Sequence, residues 1–131
     1  MMTNEEKVQH WVKMADYDIE TADGLMQIKR NLYVGFMCHL ATEKLLKARF
    51  VKIKDETPPY IHNLRLLAEK TGIYDMMSDE QKDFLKELNP LHIEARYQDY
   101  KDAIEKKLTD EVAQEILTKT KELTAWIKEK I

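Results

Sequence analysis

The stretch that decides the fold is Leu32-Tyr33-Val34-Gly35-Phe36-Met37-Cys38-His39-Leu40-Ala41-Thr42-Glu43-Lys44-Leu45-Leu46-Lys47-Ala48-Arg49-Phe50. At helical spacing Leu32, Phe36, Leu40 and Phe50 share one side, and Glu43 and Lys47 fall in the middle of that side. The opposite side carries Met37, Ala41, Leu45 and Ala48 and is apolar as well. A helix that is apolar nearly all round is buried on more than one side. The segment therefore reads as a central helix that carries two ionisable groups into a crowded place, where charges need partners or a task.

The flanking segments read as helices wrapped around it. Thr3 with Glu6 is a capping box, and Val8, Trp11, Val12, Ala15, Ile19, Ala22 and Met26 follow at steps of three and four. Gly24 sits where it would permit a close helix crossing. A break over Gln27 to Asn31 leads into the central helix, which runs to about Lys54. So short a connection predicts an antiparallel pair of long helices. Pro58-Pro59 forces a loop, and a short helix with Leu64, Leu67 and Ala68 on one face stops at Gly72. Tyr74 to Met77 is a connector. Ser78 with Gln81 is a second capping box, opening a helix with Phe84, Leu85, Leu88 and Leu91 that Pro90 kinks or ends. Residues His92 to Lys107 read as an irregular, partly helical connector. Thr109 caps a last helix with Val112, Ile116, Leu123 and Ile127 in a seam, and Trp11 and Trp126 read as core or dimer contacts.

Composition agrees with an all-α, up-and-down helical bundle of about five helices, in one domain over residues 1–131. There are three glycines and three prolines, and no β-branched runs. Hydrophobic residues make up 44% and charged residues 34% of the chain, enough for both a core and a surface. The net charge of -3 gives no global footprint for nucleic acid, so any such contact must be local. The single cysteine, Cys38, excludes an intrachain disulfide and a multi-cysteine metal site. With no signal-peptide core and no long uncharged apolar run, a cytoplasmic protein away from the membrane is expected.

Several side chains are candidates for chemistry. Glu43 and Lys47 are one turn apart in the favourable order for an ion pair. Either Lys47 snorkels to a rim while another base satisfies Glu43, or the two line a polar groove that meets a ligand. His39 lies one turn before Glu43. The chain has neither the Glu-x-x-His nor the His-x-x-x-His pattern of a bundle metal site, so no metal ligands and no cofactor are expected, and His39 reads as a hydrogen-bonded core or interface histidine. Arg96 and Tyr97 either pack the bundle end and cap carbonyls or supply a phosphate fork with a stacking ring. His62 reads as the start of the third helix with a local hydrogen bond, with catalysis as the alternative. Ser78 is the only serine and stands at a cap, and Cys38 has no activating base nearby, so no catalytic nucleophile is expected.

These residues together resemble the HEPN domain family. Trp11 with Ala15-Asp16-Tyr17-Asp18 and Ala22 looks like its first helix. Ala41-Thr42-Glu43-Lys44-Leu45-Leu46-Lys47-Ala48 looks like its A-x-E-K-x-L-K-A signature. Pro58-Pro59-Tyr60-Ile61-His62-Asn63-Leu64 and Ala95-Arg96-Tyr97 match two further segments. The resemblance implies a bundle of about five helices that pairs as a two-fold homodimer. It also implies a small prokaryotic protein acting beside a minimal nucleotidyltransferase, often as a toxin and antitoxin. Ligand contacts to a nucleotide or RNA phosphate would then fall on His39, Glu43, Lys44, Lys47, Arg96 and Tyr97. Many members are metal-independent ribonucleases that use Arg, four to six residues, then His. None of Arg30, Arg49, Arg65 and Arg96 has a histidine at those offsets, which argues against that mechanism. His39-Leu40 and Gln98 also stand where the family often has Gln-Gln and a proline. Three readings follow: a nucleotide- or RNA-phosphate-binding module, a divergent ribonuclease in which His39, His62 or His92 meets Arg96, and a structural dimer that regulates its partner.

Overall fold

The structure is a computed structural model that describes residues 1–131 except Ala95. Among the described residues the chain forms six α-helices and two short 3-10 turns, with no strand. Helix α1 spans Asn4–Gln27 and α2 spans Asn31–Lys54. Helix α3 covers Leu64–Lys70, α4 Asp79–Leu88, α5 Gln98–Lys107 and α6 Asp110–Glu129. The 3-10 turns are Tyr74–Met76 and Asn89–Leu91.

The central helix is α2. Of its 24 residues, 14 are buried, and they lie on both of the sides that the spacing marks as apolar. It packs most extensively on α1, then on α6 and α3, and it also meets α4, α5 and the Asn89–Leu91 turn. Helices α1 and α2 form the expected antiparallel pair. Asn4 Nδ2 fastens the start of α1 to the end of α2, donating to Val51 O at 2.9 Å and to Asp55 Oδ1 at 2.7 Å. At the other end Asn31 Nδ2 donates to Leu108 O at 3.0 Å, holding the start of α2 against the turn into α6. Arg49 reaches from α2 to the backbone oxygens of Thr71 and Lys130, tying the ends of α3 and α6 to the same helix.

Local chemistry sets the helix ends where the sequence places them. Both capping boxes form, at Thr3 with Glu6 and at Ser78 with Gln81. Thr109 Oγ1 accepts from Val112 N at the start of α6. Gly72 follows α3 at φ 75°, a left-handed conformation that glycine adopts without strain. Pro90 closes α4 by converting its last turn to 3-10 geometry.

Two expectations need correction. Residues 98–107 form a regular helix, α5, within the stretch 92–107 that was expected to be an irregular, partly helical connector. No residue of α5 is fully buried, and its apolar side is short: Tyr100 and Ile104, one turn apart and part-buried, stand among charged residues. Its support is local: Gln98 Nε2 donates to Asp102 Oδ1 at 2.9 Å across one turn. Gly24 permits no close crossing, because a Cβ there would meet nothing within 4 Å. Gly35 is the glycine in close contact, with Leu91 and Leu108 side-chain carbons 3.2 Å from the position of its Cβ.

Two measurements check this picture. Gly24→Ala removes a mid-helix glycine from open space and is expected to raise the unfolding free energy by about 1 kcal/mol, read by urea denaturation. Cys38 is fully buried, and burial pushes its thiol up to about 11. Its reaction with a disulfide reagent is expected only in denaturant; rapid labelling of the folded protein would contradict the packing of α2 against α6.

Candidate functional site

Glu43 is the hub of a polar cluster inside the bundle. The residue is 4% exposed. Its Oε2 accepts a hydrogen bond from Lys47 Nζ at 3.0 Å, and its Oε1 lies 2.9 Å from His62 Nδ1 and 3.6 Å from His39 Nδ1. The pair on α2 follows from helical spacing. His62 arrives from the loop behind Pro58-Pro59, two residues before α3 begins. Asn63 caps that helix by accepting from Leu66 N, and Asn89 Oδ1 accepts from Leu64 N at 3.0 Å, so the loop is held from both sides.

Lys47 does not snorkel to a rim. It is 6% exposed, and its ammonium stands 5.9 Å from the Trp11 ring centroid and 5.7 Å from that of Tyr60. A carboxylate and two ring faces thus surround the charge, a desolvated setting in which cation–π attraction has weight.

His92 enters from the segment after the Asn89–Leu91 turn and stacks on His62, with centroids 3.9 Å apart and planes at 22°. Its ring also meets His39 edge-on at 5.0 Å and Phe36 at 5.3 Å. Three of the chain's four histidines therefore converge on one carboxylate. His39 is core, as expected, but it is not hydrogen-bonded: neither ring nitrogen has a partner, and neither does His92 Nε2. Burial holds His39 down at about 4, against the partial pull of Glu43 in the other direction. Burial and the adjoining His62 also lower His92. Both rings are thus neutral at physiological pH.

The cluster forms one wall of an open pocket of about 780 Å³. His62 and His92 line it together with Tyr60, Asn63, Asn89, Arg96 and Tyr100. Arg96 is exposed. Its Nε donates to His92 O at 3.2 Å, and its guanidinium lies 4.8 Å from the Tyr100 ring centroid. Tyr100 Oη in turn donates to Pro90 O at 3.2 Å. The Arg96 guanidinium is therefore braced by the His92 carbonyl and the Tyr100 ring at the edge of the pocket, and a planar guanidinium can present paired donors to an anion.

The residues singled out in sequence are divided by the fold. Glu43, Lys47 and His39 sit together inside, and Arg96 faces the same pocket from the α5 side. Lys44 points away: its Nζ donates to Asp18 Oδ2 of α1 at 2.7 Å. Tyr97 is 89% exposed and does not fill the bundle end; the ring beside Arg96 is that of Tyr100. Ala95 of the Ala95-Arg96-Tyr97 segment lies outside the described residues. His62 bonds across 19 residues of sequence rather than locally. The absence of a spaced ligand pair left no metal set to expect, yet one donor atom each of Glu43, His62 and His92 lie within 4.8 Å of one another. In the sequence His62 stood outside the expected ligand contacts, raised only as a catalytic alternative and, with His39 and His92, in the divergent-ribonuclease reading.

With that geometry in place, comparison with protein families gives a match to the HEPN domain over residues 8–131. The chain belongs to the HEPN domain family. The match covers essentially the whole chain, including every residue of the cluster and pocket, and the family is associated with nucleotide- and RNA-related roles. Comparison with curated proteins and with solved structures returned no match. In this HEPN chain no described helix is long and apolar enough to cross a membrane.

Two outcomes are expected of the cluster. Lys47→Leu leaves Glu43 buried without its ammonium and should lower stability by about 3 kcal/mol, while the Glu43→Leu/Lys47→Leu double variant loses less than the sum of the singles. Urea unfolding of the four proteins reads this coupling. His39 carries a folded value of about 4 against an ordinary 6.5, so its contribution to stability is complete above pH 6.5. As pH falls from there toward 4 the unfolded chain takes up a proton that the fold refuses, removing about 1.4 kcal/mol per pH unit. Urea unfolding in chelator-treated buffer should show this slope, and His39→Met should flatten it.

Proposed function

We propose that this HEPN protein is a binding module for a nucleotide or an RNA phosphate, held in the pocket beside His62, His92 and Arg96. The observation that carries the reading is the exposed Arg96 fork, fixed by His92 O and Tyr100 on the rim of a cavity of about 780 Å³. A planar guanidinium offers paired donors to phosphate. Tyr60, 87% exposed, and Tyr100 supply ring faces on which a base can stack. The volume suits a mononucleotide or a short single-stranded segment. Lys44 and Lys47 take no part in holding the ligand, because Asp18 and Glu43 already occupy them.

A second reading, phosphodiester cleavage, draws on one further observation. With His62 Nδ1–H donating to Glu43, the opposite ring nitrogen carries the lone pair, in the manner of a base oriented by a carboxylate. Arg96 on the same pocket would stabilise charge developing on the phosphate. In either case the protein acts as a homodimer beside a minimal nucleotidyltransferase, in a toxin–antitoxin type of pair. That part of the proposal rests on the family likeness, and co-purification of the two tagged proteins tests it.

Calorimetric titration with ATP, GTP and a short RNA tests the binding reading. Saturable binding is expected, weakened about tenfold or more by Arg96→Ala, a loss of one to two charge-assisted contacts. Absence of heat at millimolar ligand would end it. For cleavage, transfer RNA from cells expressing the protein should be cut by the wild type and left intact by His62→Ala; intact RNA with normal growth in both removes that reading.

A further inference from the structure

We propose that Glu43, His62 and His92 form a binding site for a late first-row divalent metal ion of the zinc type. The three residues come from separate parts of the fold: α2, the loop before α3 and the segment after the Asn89–Leu91 turn. One donor atom of each lies within 4.8 Å of the others. Glu43 Oε1 and His62 Nδ1, at 2.9 Å, already have close to the spacing of two donors on one ion, which for metal–ligand bonds of about 2.0–2.1 Å is roughly 3.3 Å. The ion would replace the proton that now bridges them. A neutral His62 meets this by moving its proton to Nε2, freeing the Nδ1 lone pair.

The second observation is the set of buried nitrogens without partners. His92 Nε2 and both nitrogens of His39 have no hydrogen bond, although the residues are 7% and 0% exposed. Leaving such groups unpaired costs about 1–3 kcal/mol each, and a cation that accepts a lone pair removes that cost. His39 Nδ1, 3.6 Å from Glu43 Oε1, is the nearest further donor. Imidazole with one carboxylate suits zinc, cobalt or nickel; magnesium and calcium favour all-oxygen sets. Lys47 is the opposing charge, and it holds the other carboxylate oxygen, Oε2, leaving Oε1 to the imidazoles. Since His62 and His92 also line the pocket, an ion here would stand beside any phosphate that Arg96 receives, and this last point alone rests on the proposed function.

The test uses the full-length protein stripped with a chelator and titrated with zinc chloride, no nucleotide present. One ion per chain is expected to bind with a Kd of about 10 μM or tighter. His62→Ala should weaken this at least tenfold, as should His92→Ala, whereas His10→Ala, at the one histidine outside the cluster, should not. His62 is partly exposed on a loop, so its alanine variant is expected to fold, and thermal melting verifies that. Cobalt(II) in place of zinc should give visible ligand-field bands of a low-coordinate site, lost in His62→Ala. Weaker binding than 10 μM, or binding that His62→Ala and His92→Ala leave intact, overturns the proposal. Because no phosphate ligand is present, that result is independent of whether nucleotides bind.

Discussion

A carboxylate withdrawn from water must be answered from every direction in which it has lone pairs. Glu43 is answered by Lys47 along its own helix and by His62 from a loop, with His39 one turn back. Any arrangement that moved the Pro58-to-Asn63 segment away would leave one oxygen with no donor, a loss of about 1–3 kcal/mol or more for a charged group. The buried acid therefore fixes where the loop runs, and with it the start of α3. It also fixes Lys47, which Trp11 and Tyr60 enclose from the other side.

From that anchor the pocket is assembled from connections rather than from helices. α2 stands behind it, its Glu43 holding His62 from inside the bundle. The walls are two segments that follow proline-containing turns, at Pro58-Pro59 and at Pro90; Asn89 joins them through Asn63 and Leu64, while Arg96 and Tyr100 bond back within the second segment. Loops carried by a rigid helical frame are where binding groups are commonly found. Here the frame is rigid because α2 is packed on all sides, and the stacked imidazoles of His62 and His92 close the joint between the two loops.

Much of this was open to reading in the residues themselves. The pairing of Thr3 with Glu6, of Ser78 with Gln81, and the position of Gly72 each encode a helix end through contacts within three residues, so they needed no knowledge of the rest. The double-sided apolar pattern of Leu32 to Phe50 placed Glu43 and Lys47 in a crowded setting but left open a Lys47 that reaches a rim; the fold buries both. α5 was read only as a partly helical connector because its apolar side is a single turn, Tyr100 and Ile104, among charges. Lys44 was grouped with Lys47 through the family's A-x-E-K-x-L-K-A pattern, but in the fold its ammonium is taken by Asp18 of α1, a contact between helices that the motif does not encode.

Sequence alone determined five of the six helices, their order, the central place of α2 and the kinship with HEPN domains, because each depends on periodicity or on motifs that are local in the chain. Only the tertiary structure decided that His39, His62 and His92 gather on Glu43 and that Arg96 faces the same cavity. His39 is one turn from Glu43, but His62 is 19 positions away and His92 and Arg96 lie farther still, brought in through side chains across the bundle. No spacing rule reaches so far: which loop side chain meets a buried helix charge is set by how the loops fold back over α2, and that is a property of the packed whole.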